Sequence, residues 1–525
     1  MKKFNVTGVC VPKKDYMVDI SGKLEQIMRL IADGCYFTIN RARQYGKTTT
    51  LSMIQKHLPR EYVCIRISFQ GIGDKPFKTE EDFCKMFIKN VVRAMRRSGT
   101  APKEYIELWN DNDISGFDDL NEHITSMCEG KKVVLLIDEV DKTSHNQTFL
   151  HFIGMLREKF LLRREDMDDT FHSVILAGVY DIKNIKLKLI NEGVYISSAT
   201  EDKIYNSPWN IAVNFTVDLS FNPSEIATML ADYEADHNTG MDIAAISEEI
   251  YSYTDGYPFM VSRICQCIDE ELNKDWDLNG VRKAVKILLE EKNTLFDDVF
   301  KNLENDRELS KYIYDLLILG DSKPYVIYNP LVSVGDRYGF FKKQDNGSPK
   351  VAISNRVFEL YMTDYFISID LNDKKQVTGV FYSDVEMNGA FDMELCLRKF
   401  ASHYDEIFNE SDTEFLERHG RLLFLSYLKP LINGHGFYHI ESQFTDWRRM
   451  DIVVDFGRQQ FIIELKLWRG QQYQVEAYTQ LCGYLESKHA DAGYLLTFDF
   501  RSECNKVRKA EWIEINGKRI FDIMV

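Results

Sequence analysis

The sequence lacks any paired-cysteine motif. Its 10 cysteines are scattered over 525 residues, Cys265 and Cys267 being the close pair. No C-x2-C spacing of the kind that builds a zinc knuckle occurs, so free thiols in a reducing cytosol are expected. Long hydrophobic runs are also missing. The apolar stretch behind Lys2 and Lys3 breaks at Lys13-Lys14-Asp15, short of a secretory core, and nothing approaches the ~20 apolar residues of a membrane span. A cytoplasmic chain with no membrane partner is expected. There is no internal repeat and no low-complexity tract. Positive charge is in deficit too: the net charge of -16 argues against a chain that coats nucleic acid non-specifically, because phosphate contacts are made by clustered lysine and arginine. Local basic groups remain around Arg448-Arg449, Lys466 and Arg469, and at Arg501, Lys506, Arg508 and Lys509. A solvated, charge-mixed surface explains them as well as a nucleic-acid face does.

What the chain has is apolar material, 44% overall with 13% aromatics. At this length it must be divided among three or four cores. Residues 1–220 alternate short apolar strands with helical stretches: Tyr36–Ile39, a helix from Lys47 to about Leu58, Val63–Ser68, Val133–Ile137 and Ser173–Ala177. That alternation predicts a parallel sheet covered on both faces. Residues 221–304 read as helices forming a lid. Within 305–372, helices flank a hairpin with strands Tyr338–Phe341 and Lys350–Ser354, followed by a helix from Asn355, which suggests a winged-helix module. A polar linker at Asp373-Lys-Lys-Gln376 leads to a last domain, 373–525, with helices first and then strands 451–456 and 460–468.

Gln44-Tyr-Gly-Lys-Thr-Thr49 follows an apolar strand and opens a helix. A phosphate cradle needs a glycine where the backbone approaches the anion, a lysine for the outer phosphates and a hydroxyl for magnesium, and Gly46, Lys47 and Thr48 supply these. Lys131–Glu139 is an apolar strand ending in two acids: Asp138 to hold magnesium through water and Glu139 to polarise the attacking water. Solvated acids capping a core strand are the plain alternative, but both halves occur in the right order. Residues 1 to about 370 therefore resemble the P-loop AAA-type ATPases of bacterial and archaeal chains that carry a nuclease-like tail. In that family an arginine opens the loop, so Arg41, standing where the general consensus has glycine, fits, as do Arg43 and Tyr45; Gln44 departs from the family's second arginine. Tyr16-Met-Val-Asp19 is similar to the family's Tyr-Val-Asp segment. The resemblance implies ATP bound by Arg41, Arg43, Gly46, Lys47, Thr48 and Asp138. The family's sensor hydroxyl is replaced by Ala177 before Gly178, leaving Tyr180 or Asp181 as substitutes. Arg157, Arg163 and Arg164 are candidate fingers toward a neighbouring copy, and Arg263 one from the lid, each against a simpler helix-surface role; a homo-oligomer stays open.

Asp451 opens one C-terminal strand, while Glu464 and Lys466 share a face of the next because strand side chains alternate with period two. Two carboxylates and a lysine aimed at one cleft are what metal-dependent phosphodiester cleavage requires. Ile462, Ile463, Leu465 and Leu467 embed Glu464 in apolar sequence, which simple solvation does not explain. The arrangement resembles the PD-(D/E)XK nuclease superfamily, an α/β restriction-endonuclease-like fold, with Met450 in place of the naming proline. By that resemblance Asp451 and Glu464 hold Mg2+ or Mn2+ with help from Glu417, Lys466 orients the water, and Gln480 positions Lys466 or the phosphate. An exposed helix acid and a half-buried packing face are the alternatives for Glu417 and Gln480. The expected whole is a nucleotide-regulated nuclease acting on nucleic acid, DNA before RNA. A nucleotide-switched interaction protein whose nuclease-like domain binds without cutting, or an ATPase motor with an adaptor tail, are the alternatives.

Overall fold

Strands form where the sequence runs continuously apolar, and period-two alternation sorts their side chains to two cores. In the computed structural model, β1 (Phe37–Asn40), β2 (Tyr62–Ser68), β3 (Lys132–Asp138) and β4 (Ser173–Gly178) make an all-parallel sheet in the order β1-β4-β3-β2. Val133, Leu135 and Ile137 point into one buried cluster with Phe83, Phe87 and Phe152. Val134 and Leu136 point into the other, with Phe37, Leu51 and Ile54. A sheet buried on both faces is why these strands need no polar alternation. Described are residues 2–99, 101–110, 114–140, 146–178, 209–318, 322–345, 349–373, 385–387, 390–407, 417–432, 436–439, 452–456, 459–499 and 509–525.

The chain divides into two compact units, Met1–Glu290 with Arg337–Gly339, and Glu291–Asp336 with Phe340–Val525. In the first, α1 (Ser21–Ala32) precedes the strands, which are joined through helices α2 (Lys47–His57), α3 (Glu80–Ser98), α4 (Lys103–Leu108), α5 (Phe117–Cys128) and α6 (Gln147–Arg164). Four more helices follow, α7 (Pro223–His237), α8 (Ile243–Thr254), α9 (Pro258–Glu270) and α10 (Leu278–Glu290). Asn222 and Glu225 close a reciprocal capping box on α7, with Pro223 at its first position. Gly256 ends α8 at φ 71, and a Cβ there would stand 1.9 Å from the Phe221 carbonyl oxygen. The turn into α9 therefore tolerates only glycine. The N-terminal segment is fastened to these helices: the Tyr16 hydroxyl donates to Asp236 at 2.9 Å, and the Asp19 amide donates to the Thr228 hydroxyl at 2.9 Å.

The second unit opens with α11 (Thr294–Asn305), α12 (Arg307–Leu317) and α13 (Pro330–Arg337), then a hairpin of β5 (Phe341–Asp345) and β6 (Pro349–Ile353), then α14 (Arg356–Asp373). The hairpin's first strand starts three residues later than the sequence suggests. Gly339 adopts φ 73 and the Phe340 amide returns to the Gly335 carbonyl at 2.8 Å, so pairing begins only at Phe341. Asn355 caps the next helix by accepting from the Phe358 amide at 2.9 Å.

After the short pair β7 (Glu386–Met387) and β8 (Ala390–Phe391) come α15 (Met393–Ile407) and α16 (Glu417–Ile432). A six-stranded mixed sheet follows, built of β9 (Gly436–His439), β10 (Ile452–Phe456), β11 (Gln459–Leu467), β12 (Ala492–Phe498), β13 (Ala510–Ile515) and β14 (Lys518–Met524), in the order β13-β14-β12-β11-β10-β9. The β9-β10-β11 run is antiparallel, whereas β11-β12 and β12-β14 are parallel. Parallel neighbours need a crossover connection, usually a helix, and α17 (Gln471–Ser487) makes the β11-to-β12 crossover. It buries Ala477, Leu481 and Leu485 on the face carrying Val453, Ile462 and Leu495. The opposite face receives α15 and α16, where Phe400 meets Phe498 and a Cβ on Gly420 would overlap the Phe498 ring. No helix among the described residues is long and apolar enough to cross a membrane.

Candidate functional site

In the first unit, the chain leaving β1 turns twice through the left-handed region, at Gln44 (φ 56) and Gly46 (φ 78). A Cβ on Gly46 would meet nothing nearer than Pro258 at 3.9 Å, so glycine is required there by backbone conformation rather than by space. Gly46 is the N-cap of α2 and provides no side-chain cap, which leaves the first-turn amides of the helix directed at the loop. The Lys47 ammonium donates to the carbonyls of Arg41 and Ala42 at 2.7 and 2.8 Å, closing the loop on itself.

The Arg41 guanidinium donates to the carbonyls of Asn40 and Val217 at 3.0 and 3.1 Å. Arg43 offers its carbonyl to the Tyr257 hydroxyl, and Tyr257 also packs edge-on against Tyr45 with centroids 4.7 Å apart. Burial pushes the Tyr45 phenol up to about 12, so it stays neutral. The turn between α8 and α9 thus sits directly on the phosphate loop.

At the end of β3, Asp138 is 4% exposed. Burial raises its carboxyl above the ordinary range, while a hydrogen bond with the Thr48 hydroxyl and the nearby Arg66 guanidinium pull the other way. A hydroxyl and a carboxylate already in contact are a donor pair that suits magnesium. Glu139 follows in a left-handed conformation, φ 59, which is costly for a residue with a side chain and is stored where the surrounding structure enforces it.

Sequence reasoning missed Arg66. On β2 it donates to the Thr48 carbonyl at 3.1 Å and stands 3.8 Å from Asp138 Oδ2, bridging the two halves of the site. The available signal was a lone charge inside Val63-Cys-Ile-Arg-Ile-Ser68. Of the arginines suggested as fingers, Arg157 donates to Asn210 at 2.7 Å. Arg163 serves the carbonyls of Gly34, Phe171 and His172, and Arg263 pairs with Glu271 at 2.8 Å. Tyr180 and Asp181 lie outside the described residues.

In the second unit, Glu464 and Lys466 lie on one face of β11, and the ammonium stands 2.8 Å from Glu464 Oε1. Glu464 is 1% exposed. Register carries this row across the sheet, with Glu464 opposite Leu495 on β12 and Leu495 opposite Asp522 on β14. Asp522, fully buried, accepts from Tyr478 and from Lys509, the latter at 3.1 Å. Gln480 is on α17 and donates to the Tyr484 hydroxyl at 2.8 Å. Asp451 lies outside the described residues, as does the side chain of Glu417. Among the described residues, no three His, Cys, Asp or Glu side chains gather as a metal cluster. The α14 helix contributes to packing: Arg356 pairs with Asp455 at 3.3 Å, and Asp364 accepts from Tyr438 at 2.9 Å.

No curated protein matches the chain. Among solved structures, the Walker-type ATPase of Pyrococcus abyssi aligns at 13% identity and TM-score 0.44 over 69% of this chain and 99% of that one. The ORC2 protein of Aeropyrum pernix in its ADPNP–ADP complexes aligns at 12% and 0.35 over 70% and 98%. The RuvB Holliday junction branch migration motor of Thermotoga maritima aligns at 13% and 0.32 over 64% and 92%. Likenesses this remote carry no inference about activity. Residues 16–278 match the family described as the AAA-like domain. That segment is half of the chain and contains the phosphate loop, the acidic strand end and the helices seated on them: the chain belongs to the AAA-like domain family and is an ATPase of the P-loop type.

Proposed function

We propose that this ATPase is a nucleotide-regulated, metal-dependent nuclease, with the first unit binding ATP and the C-terminal sheet hydrolysing phosphodiester bonds of DNA. The observation that carries the proposal is the Glu464–Lys466 pair. A carboxylate 1% exposed and a lysine 2.8 Å away occupy one face of a central strand. Burying a charge is expensive unless it is paired or used, and apolar residues would fill the position at lower cost.

In the first unit, Lys47 and the α2 amides would bind the outer phosphates. Thr48 and Asp138 would hold magnesium, with Arg41 and Arg43 shaping the loop and Glu139 orienting the water. Bound magnesium supplies neutralisation of phosphate charge. In the second unit, Glu464, with Asp451 and Glu417, would hold Mg2+ or Mn2+, which supplies the same Lewis-acid chemistry to the scissile phosphate. Lys466 would orient the attacking water, and Gln480 would position the lysine or the backbone phosphate. The winged-helix reading of residues 305–372 belongs to this proposal as a packing module, since Arg356 and Asp364 of α14 are engaged with the sheet and its neighbours.

The test is cleavage of plasmid, linear duplex, single-stranded DNA and RNA with Mg2+ or Mn2+, with and without ATP. Wild type is compared with Lys47→Ala, Glu464→Ala and Lys466→Ala. Cleavage that disappears in the Glu464 and Lys466 variants and shifts with ATP or Lys47→Ala is the expected result. Intact ATP binding with no cleavage by the wild type on any substrate would sink the nuclease proposal in favour of a nucleotide-switched interaction protein.

A further inference from the structure

Helix α3 buries a continuous apolar stripe in the first unit's core: Phe83, Cys84, Phe87, Ile88, Val91, Val92 and Met95. Its acids, Glu80, Glu81 and Asp82, are confined to the first turn. From Phe83 to Arg97, every exposed position is lysine or arginine: Lys85, Lys89, Arg93, Arg96 and Arg97. At 3.6 residues per turn these five fall within an arc of roughly 120° and extend about 18 Å along the axis. Lys85 pairs with Glu81. Among the described residues no carboxylate lies within 4.0 Å of the charged nitrogens of Lys89, Arg93, Arg96 or Arg97.

A solvated helix face in a chain with net charge -16 should mix signs and gain from i,i+4 pairs. Beyond the Glu81–Lys85 pair, this one instead places like charges at successive i,i+4 spacings: Lys85 with Lys89, Lys89 with Arg93, and Arg93 with Arg97. Each of those pairs disfavours the helix. The helix dipole accounts for Arg96 and Arg97 in the last turn, but not for Lys89 and Arg93 further in.

We propose that this face of α3 is a docking surface for the phosphate backbone of duplex nucleic acid. A membrane-surface helix would need its apolar side available to lipid, whereas the apolar side of α3 is in the core. A protein interface would need apolar or aromatic anchors, and the exposed positions have none. Arginine forks suit phosphate oxygens, and duplex strands present a phosphate about every 3.4 Å of axis, so the array matches several in succession. With no exposed Asn or Gln between Phe83 and Arg97, the face grips the backbone without reading bases.

The surface is independent of the cutting chemistry, and binding is read with cleavage prevented. Fluorescence anisotropy of a fluorescein-labelled 20-base-pair duplex is measured with the full chain in EDTA across a salt series. Wild type is compared with Lys89→Glu/Arg93→Glu/Arg97→Glu and with an equal charge change elsewhere, Lys292→Glu/Lys301→Glu/Lys311→Glu. The α3 variant should lose at least tenfold in affinity, and its log–log salt slope should flatten by about 3. Its melting temperature and ADP affinity should stay at wild-type values, and the control variant should bind DNA within threefold of wild type. The proposal is overturned if wild type does not bind the duplex at 50 mM salt, if the α3 variant binds unchanged, or if the control loses as much. Displacement by poly-glutamate as effective as by unlabelled duplex would overturn it too, in favour of an acidic protein partner. Cleavage lost in Glu464→Ala with binding retained would leave both proposals standing separately.

Discussion

Arg66 shows how one side chain can tie a nucleotide site together. It faces a buried carboxylate, Asp138, and a carbonyl in the first turn of the phosphate-loop helix, Thr48. Removing a charged partner from a buried carboxylate costs more than the bond itself, about 1–3 kcal/mol, because the remaining charge stays buried. Arg66→Met should therefore lower the melting temperature of the first unit by several degrees, and much less in an Asp138→Asn background. A double-mutant cycle by thermal denaturation checks this; zero coupling would show that the two side chains act independently. At the same scale, the phosphate loop was legible as a string of residue types, Gly46-Lys-Thr48. The left-handed Gln44 and Glu139 were not, because a single strained residue leaves no periodic signature.

At the scale of elements, the C-terminal sheet is held to its covering helix by a polar contact. The Trp512 indole on β13 donates to Glu394 on α15 at 2.7 Å, and Arg398 donates to the same carboxylate. Burial alone would raise the Glu394 carboxyl, but the indole and guanidinium outweigh it and hold it below its ordinary value. A lowered carboxylate contributes stability above the unfolded-state value, near 4.5, and loses it as pH falls through the folded one. Glu394→Gln should melt below wild type at pH 7, with the gap closing on acidification below about pH 4.5. A gap that stays constant from pH 7 to pH 3 would mean the charge contributes nothing. The strands read from apolar runs, four in the first unit and β10 and β11 in the second, lie within a residue or two of the observed ones, while β9, β12, β13 and β14 were not read. The hairpin start at Phe341 was misplaced, because a left-handed glycine and a returning amide decided it.

For the whole molecule, two compact units with separate cores predict two cooperative transitions in calorimetry. ATP binds the folded first unit, so saturating nucleotide should raise one transition by several degrees. At 100 times Kd the linkage amounts to about 2.7 kcal/mol. Lys47→Ala should abolish that shift and leave the other transition in place. A single transition that moves as a whole with ATP would show the units unfold together.

By itself the sequence determined that the first unit's strands are parallel and alternate with helices, the phosphate loop with its acidic strand end, and the alternation that puts Glu464 beside Lys466. These are local facts, set by period and by residue type within a few positions. Only the tertiary structure decided that Arg66 meets Asp138, that Tyr257 rests on the Arg43 carbonyl, and that Asp522 shares a face with Glu464 two strands away. It also decided that the exposed side of α3 is cationic throughout from Phe83 to Arg97. Each of these depends on which segments burial brings together, and burial is settled by the packing of the whole core rather than by any one stretch of chain.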